Sequence, residues 1–213
     1  MSQDFNESSK IISYEEFLKE KILSKGIDTI TNVQKRKLIN AFNTFPMGRS
    51  IILKLGEVIN FIPEPQQSKN EYIHHFLTKF NVNKDWYSEN YLLLVNDLVT
   101  NLSNYDERIL AIRNDECRIC FVKQTQLRGK KPFHVIACKL LENNQITAWT
   151  HFDSKENYIR ALKKQEESAI KIKGLRTIDG KDITVKDFRE YQDLKRKTPL
   201  YLGSGVLSKL QKP

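Results

Sequence analysis

FHVIACKL at residues 133–140 and ITAWTHF at 146–152, separated by LENNQ, decide the fold. Both runs are short and rich in β-branched, aromatic and cysteine residues, and the polar stretch between them reads as a turn. Side chains alternate along a strand. In the first run Phe133, Val135 and Ala137 fall on one face, with His134, Ile136 and Cys138 on the other. In the second, Thr147, Trp149 and His151 share a face opposite Ile146, Ala148, Thr150 and Phe152. Two similar runs lie upstream, Ile109–Ile112 and Arg118–Lys123, set off by RND and LRGKKP. Successive strands joined by turns of this length form an antiparallel meander.

Outward from the meander the pattern turns helical. Asp153 with Glu156 caps a helix over SKENYIRALKKQEES, whose Tyr158, Ile159 and Leu162 can pack on the sheet. TIDGKDIT then carries an Asp-Gly hairpin signal. Thr184 with Asp187 opens a last helix that Pro199 ends, and LYLGSGVL adds a strand. On the amino-terminal side Ser13/Glu16, Thr31/Gln34 and Ser68/Glu71 are capping boxes, each followed by an apolar stripe at helical spacing. Ser50–Phe61 reads as a further helix with Ile51, Ile52, Leu55, Val58 and Ile59 on its apolar face, and Trp86–Leu102 as another. The expected fold is α+β: a helical bundle over residues 1–103, then a basic antiparallel β-meander flanked by helices over 104–213.

Charge divides at the same place. Residues 1–100 hold 12 Lys and Arg and 12 Asp and Glu, whereas residues 101–213 hold 23 and 14 and so account for the whole net charge of +9. A positive field confined to one part favours a polyanion partner there: nucleic acid, anionic lipid or an acidic protein. No apolar run reaches the ~20 residues that cross a bilayer. The polar start MSQDFNESSK is neither a secretory signal nor a transit peptide, so the cytoplasm is the expected compartment. A signal at the other end, for translocation into another cell, would escape this test.

Cys117 and Cys120 form a C-x-x-C, but they sit in a β-like run where residues three apart point to opposite faces, and buried thiols are the better reading. His74 and His75 are adjacent and cannot jointly grip one metal. No cofactor or metal motif is present. What remains is in the meander. A face bearing Thr147, Trp149 and His151 suits a groove where an aromatic stacks on a base and a histidine moves a proton. Lys123, Arg128, Lys130 and Lys131 flank it and are candidates for holding phosphates.

The segment from about residue 95 to 170, a helix followed by RICFVKQ, FHVIACKL and ITAWTHFDSKENYIRALKK, resembles the barnase/EndoU/colicin/RelE-like group of metal-independent ribonucleases, in the versions carried by phages and mobile elements. The resemblance rests on strand order, a lysine ending one strand, and a Thr/His-bearing strand feeding a lysine-containing helix. It implies a toxin-like RNase that cleaves by 2′-OH attack without a cofactor. His151 or His134 would be acid or base, Lys123, Lys155 and Arg160 would stabilise the phosphate, and Thr150 or Thr147 would position it. Two other readings stand beside it: an RNA- or DNA-binding protein that cuts nothing, and an effector or secretion-system adaptor that docks a protein partner through residues 1–103.

Overall fold

A computed structural model of the chain describes residues 12–24, 30–78, 87–113, 116–125, 132–141, 145–177 and 179–203. The three amino-terminal capping boxes form as their sequences dictate. Ser13, Thr31 and Ser68 accept from the backbone N–H three residues on, and Glu16, Gln34 and Glu71 reach back to the cap. They open α1 (Tyr14–Ser24), α2 (Asn32–Thr44) and α3 (Lys69–Leu77). The helix expected over Trp86–Leu102 is observed as two pieces broken at Asp97, α4 (Glu89–Asn96) and α5 (Leu98–Ser103).

Ser50–Phe61 is not a helix. It is a hairpin of β1 (Ser50–Ile52) and β2 (Val58–Asn60), with Gly56 at φ +87° in the turn. That left-handed conformation is one glycine adopts without strain. β2 then pairs in parallel with β6 (Ile146–Ser154), which brings the amino-terminal hairpin into the main sheet. The meander itself is as expected: β3 (Glu107–Arg113), β4 (Glu116–Gln124), β5 (Phe133–Leu140) and β6 pair antiparallel in succession. The sheet order is β1-β2-β6-β5-β4-β3.

Helices cover both faces. One core cluster runs from Tyr14 to Leu202 and joins α1–α5 to Leu110, Phe121, Ile136, Cys138 and Ala148 on the sheet. The expected boundary at 103/104 therefore crosses one continuous core. The opposite face packs Val122, Val135 and Ala137 against Ile159 and Leu162 of α6 (Glu156–Lys173). β6 extends to Ser154, so Lys155 and not Asp153 is the α6 N-cap, and it makes no side-chain capping bond. After α6 come β7 (Leu175–Arg176), β8 (Asp182–Ile183), α7 (Phe188–Lys195, capped by Asp187) and β9 (Tyr201–Leu202), with β7 pairing both β8 and β9.

Two buried ion pairs tie this frame together. Arg108 on β3 meets Glu57 beside β2 at 2.7 Å, although β2 and β3 lie four strands apart in the sheet order, so the sheet curls strongly. Glu166 on α6 accepts from the Leu110 N–H on the outer edge of β3 at 2.7 Å, and from Tyr191 Oη and Lys195 Nζ of α7. The edge that would otherwise stay open is thus covered by a helix and capped by a carboxylate. Glu166→Ala leaves a buried lysine, a hydroxyl and a strand N–H without their acceptor, and the expected loss is about 3–5 kcal/mol. Urea unfolding measures it; a loss below about 1 kcal/mol would contradict this role.

Candidate nucleic-acid interface

The alternation expected along the fourth meander strand breaks at Trp149. Ala137 pairs with Thr150 but Cys138 pairs with Ala148, which makes Trp149 the extra residue of a β-bulge. Ala148 and His151 consequently share the face of Ile136, while Thr147 and Thr150 take the face of Lys139 and Ala137. The expected face of Thr147, Trp149 and His151 does not form.

The bulge turns His151 into the core, beside His134 on β5. The two side chains are 1% and 0% exposed. They join a hydrogen-bonded chain that fixes its own protons. The Phe76 carbonyl can only accept, so His151 Nε2 carries the hydrogen that reaches it at 2.7 Å. His151 Nδ1 is then bare and accepts from His134 Nε2 at 3.0 Å. His134 Nδ1 in turn accepts from Asn101 Nδ2 at 2.9 Å. Both rings are neutral in this arrangement, and each nitrogen has one partner. Burial pushes the His151 imidazole down to about 4, against a smaller upward pull from the Phe76 carbonyl. Burial, then the His151 ring, holds His134 well below the ordinary imidazole value. Phe76 stacks on His151, and Tyr91 lies across it with its hydroxyl donating to the His151 carbonyl. A phosphodiester cannot reach either ring in this conformation.

The other expected residues scatter. Lys123 is opposite His134 in register but is held by Asp106 at 2.7 Å. Thr150 is half-buried on the far side of the sheet from the histidines, and Lys155 is exposed at the start of α6. Thr147 is buried and donates to the Ile62 carbonyl. Trp149 already has a cation on its ring: Lys139 Nζ is 3.5 Å from the centroid, with the Arg118 guanidinium at 5.3 Å. Glu64 and Glu116 neutralise Lys139. Arg160 is exposed and paired with Glu156 one turn earlier. Arg128, Lys130 and Lys131 lie outside the described residues.

His74 bonds Tyr14 Oη at 3.0 Å, and burial, followed by Arg118 and Lys139, lowers the His75 pKa. Cys117 and Cys120 do fall on opposite faces, packing with the two different clusters. Among the described residues there is no group of three or more His, Cys, Asp and Glu that could hold a metal ion, and no helix long and apolar enough to cross a membrane.

One open cleft of about 250 Å³ lies between the first turns of α6 and the β3–β4–β5 end of the sheet. Val122, Phe133 and Ile159 form its floor, and Gln124, Arg160 and Lys163 stand on the rim. Its rim carboxylates are all matched: Asp106 with Lys123, Glu107 with Lys163, Glu156 with Arg160. Phe133, on one face of its expected strand, and Gln124, one residue past the expected strand end at Lys123, lie directly opposite each other in register, and no motif in the sequence singled them out. Comparison with family models, with curated proteins and with solved structures finds no match.

The neutral histidine chain makes stability acid-sensitive. In the unfolded chain both imidazoles titrate near 6.5, while in the folded chain they resist protonation to lower pH. Their contribution is therefore fully present above about pH 6.5 and is lost as pH falls towards 4, on the order of 3 kcal/mol from His151. Urea midpoints across pH 7 to 4 should fall more steeply for the wild type than for a variant carrying His134→Gln with His151→Gln. Parallel profiles would contradict the assignment.

Proposed function

We propose that the chain binds single-stranded RNA through the basic layer of residues 155–203, and that it does not cut the strand by way of its histidines. The distribution of unpaired charge carries this reading. Within the sheet Arg108, Arg118, Lys123 and Lys139 are each in an ion pair. Residues 155–203 hold 13 Lys and Arg against 8 Asp and Glu. Eight of those cations, Lys155, Lys164, Lys173, Arg176, Lys181, Lys186, Arg189 and Lys197, make no ion pair with a described residue. Unneutralised cations gathered in one stretch of chain attract a phosphate backbone at long range and contact it without base specificity.

Three considerations support RNA over a membrane or DNA. The charge is spread over α6, the β7–β8 turn and α7 and is not gathered on one amphipathic helix, as a membrane-surface helix requires. The resemblance of residues 95–170 to metal-independent ribonucleases, drawn from strand order and the placement of Lys, Thr and His, favours RNA over DNA. The connection from Gln124 to Phe133, both of which line the cleft, carries Arg128, Lys130 and Lys131 in its sequence. The sealing of His134 and His151 argues against the acid–base roles that the same likeness implies.

Fluorescence anisotropy with a labelled oligoribonucleotide tests the reading. Affinity should fall with salt at a log–log slope of about −2 to −3.5, corresponding to three to five phosphates at about 0.7 each on a single strand. The oligonucleotide should stay intact through prolonged incubation in EDTA. A flat salt dependence, or cleavage that His151→Gln abolishes while the variant remains folded, would overturn it.

A further inference from the structure

A cleft that can seat one ring system lies where the basic layer begins. α6 supplies Ile159, Arg160 and Lys163 to it before continuing to Lys171 and Lys173. Building on the RNA-binding reading, we propose that this cleft seats one unpaired base of the bound strand, with Phe133 as the stacking surface and Gln124 as the group that meets the base edge.

Size, chemistry and charge each narrow the occupant. At about 250 Å³ the cleft falls below the roughly 300–1,000 Å³ of pockets that enclose drug-sized ligands, so it has room for a single ring system. A base within a duplex cannot enter; an unstacked base of a single strand can. Phe133 is half-buried at the first position of β5, against the α6-side cluster, so its ring is backed by packing and still open on the cleft. An aromatic held in this way stacks on any base.

Gln124 is exposed, and its side-chain amide makes no hydrogen bond to a described residue. Its backbone is anchored, because Asp106 accepts from the Gln124 backbone N–H at 2.7 Å and from Lys123 Nζ at 2.7 Å. A side-chain amide at the cleft rim, with both a donor and an acceptor and free to rotate, can meet the edge of a purine or a pyrimidine.

The rim pairs do not bar a phosphate. Arg160–Glu156 and Lys163–Glu107 are surface pairs, with the basic side chains 67% and 48% exposed, and such pairs hold weakly enough to be exchanged. A phosphate that takes Arg160 or Lys163 displaces Glu156 or Glu107, and the freed carboxylate must turn into solvent; the exchange then trades a weak surface pair for a charge-assisted bond. Lys155, exposed and without an ion pair to a described residue, stands one position before Glu156. An apolar side chain of a protein partner would use the floor but neither Arg160 nor Lys163; the lining itself holds three carboxylates, Asp106, Glu107 and Glu156, against those two cations, so it is the excess of cations over residues 155–203 that favours the nucleotide.

The test compares two labelled 12-nucleotide strands, one of oligouridylate or oligoadenylate and one with the same ribose-phosphate backbone but no bases. Wild-type protein should prefer the strand with bases by about 5- to 150-fold, the range of one stacked base. Phe133→Ala should erase that preference while leaving the salt slope unchanged, and Phe133→Tyr should keep it. Arg160→Gln should reduce the slope by about 0.7 and leave the preference intact.

The outcomes separate the two proposals. Salt-sensitive binding with equal affinity for the abasic strand, or a preference that survives in folded Phe133→Ala, overturns the cleft assignment and leaves the RNA-binding reading standing. No binding of either strand at low salt overturns both. Equal affinity for the abasic strand, with capture of a phenylalanine-bearing peptide by the wild type and not by Phe133→Ala, would give the cleft to a protein side chain and overturn the base.

Discussion

The chain of hydrogen bonds from Asn101 through His134 and His151 to the Phe76 carbonyl is the constraint around which the other parts are arranged. It leaves α5, passes through β5 and β6, and ends on α3. Two more buried bonds follow the same route, from Tyr72 Oη to the Ala148 carbonyl and from Tyr91 Oη to the His151 carbonyl. Three helices are thereby fastened to two neighbouring strands at fixed positions, α5 to β5 and α3 and α4 to β6. Apolar packing alone would let them slide, since it has no direction; hydrogen bonds buried among apolar groups do not, because leaving one unmade costs more than making it gains. The bulge at Trp149 is what aims His151 inward, so the attachment depends on one extra residue in one strand.

Much of the frame was legible because local signals agreed with it. The three amino-terminal capping boxes, the four meander strands, the Asp-Gly hairpin and the Pro199 stop are short-range features, and each appears near its expected place, whereas the expected caps Asp153 and Thr184 give way to Lys155 and Asp187. Two errors have definite causes. In Ser50–Phe61 the apolar residues Ile51, Ile52, Leu55, Val58 and Ile59 satisfy a helical stripe, but Gly56 in a left-handed turn splits them into a hairpin, and the gain comes from pairing with β6, eighty-odd residues away. In Ile146–Phe152 strict alternation predicts the wrong partner faces because no residue announces a bulge. The buried charges Arg108, Glu166 and Lys195 were likewise invisible, since a charged residue becomes a core residue only when its partner is brought to it from a distant segment.

The molecule treats its polar groups in two ways. Inside, every expected acid or base of the meander face is bonded, paired or turned away from solvent. Outside, from Lys155 onward, cations outnumber the carboxylates that could neutralise them. The division of charge read from the sequence therefore holds, but it moves: the excess of cations belongs to α6 and the segments after it, of which α6 packs Ile159 and Leu162 on the meander sheet. The candidate site was accordingly less legible than the fold. Histidine on a strand reads the same whether it faces a groove or a core, and Phe133 and Gln124 acquire interest only once α6 has been laid beside them.

The central claim is that His134 and His151 are neutral, sealed connectors. Nuclear magnetic resonance of the imidazole protons and nitrogens between pH 7.5 and 5 tests it most directly. The claim predicts that both rings keep one neutral tautomer, with hydrogen on Nε2, and show no inflection near pH 6.5. A titration of either ring centred between pH 6 and 7, as for an imidazole open to water, would contradict it.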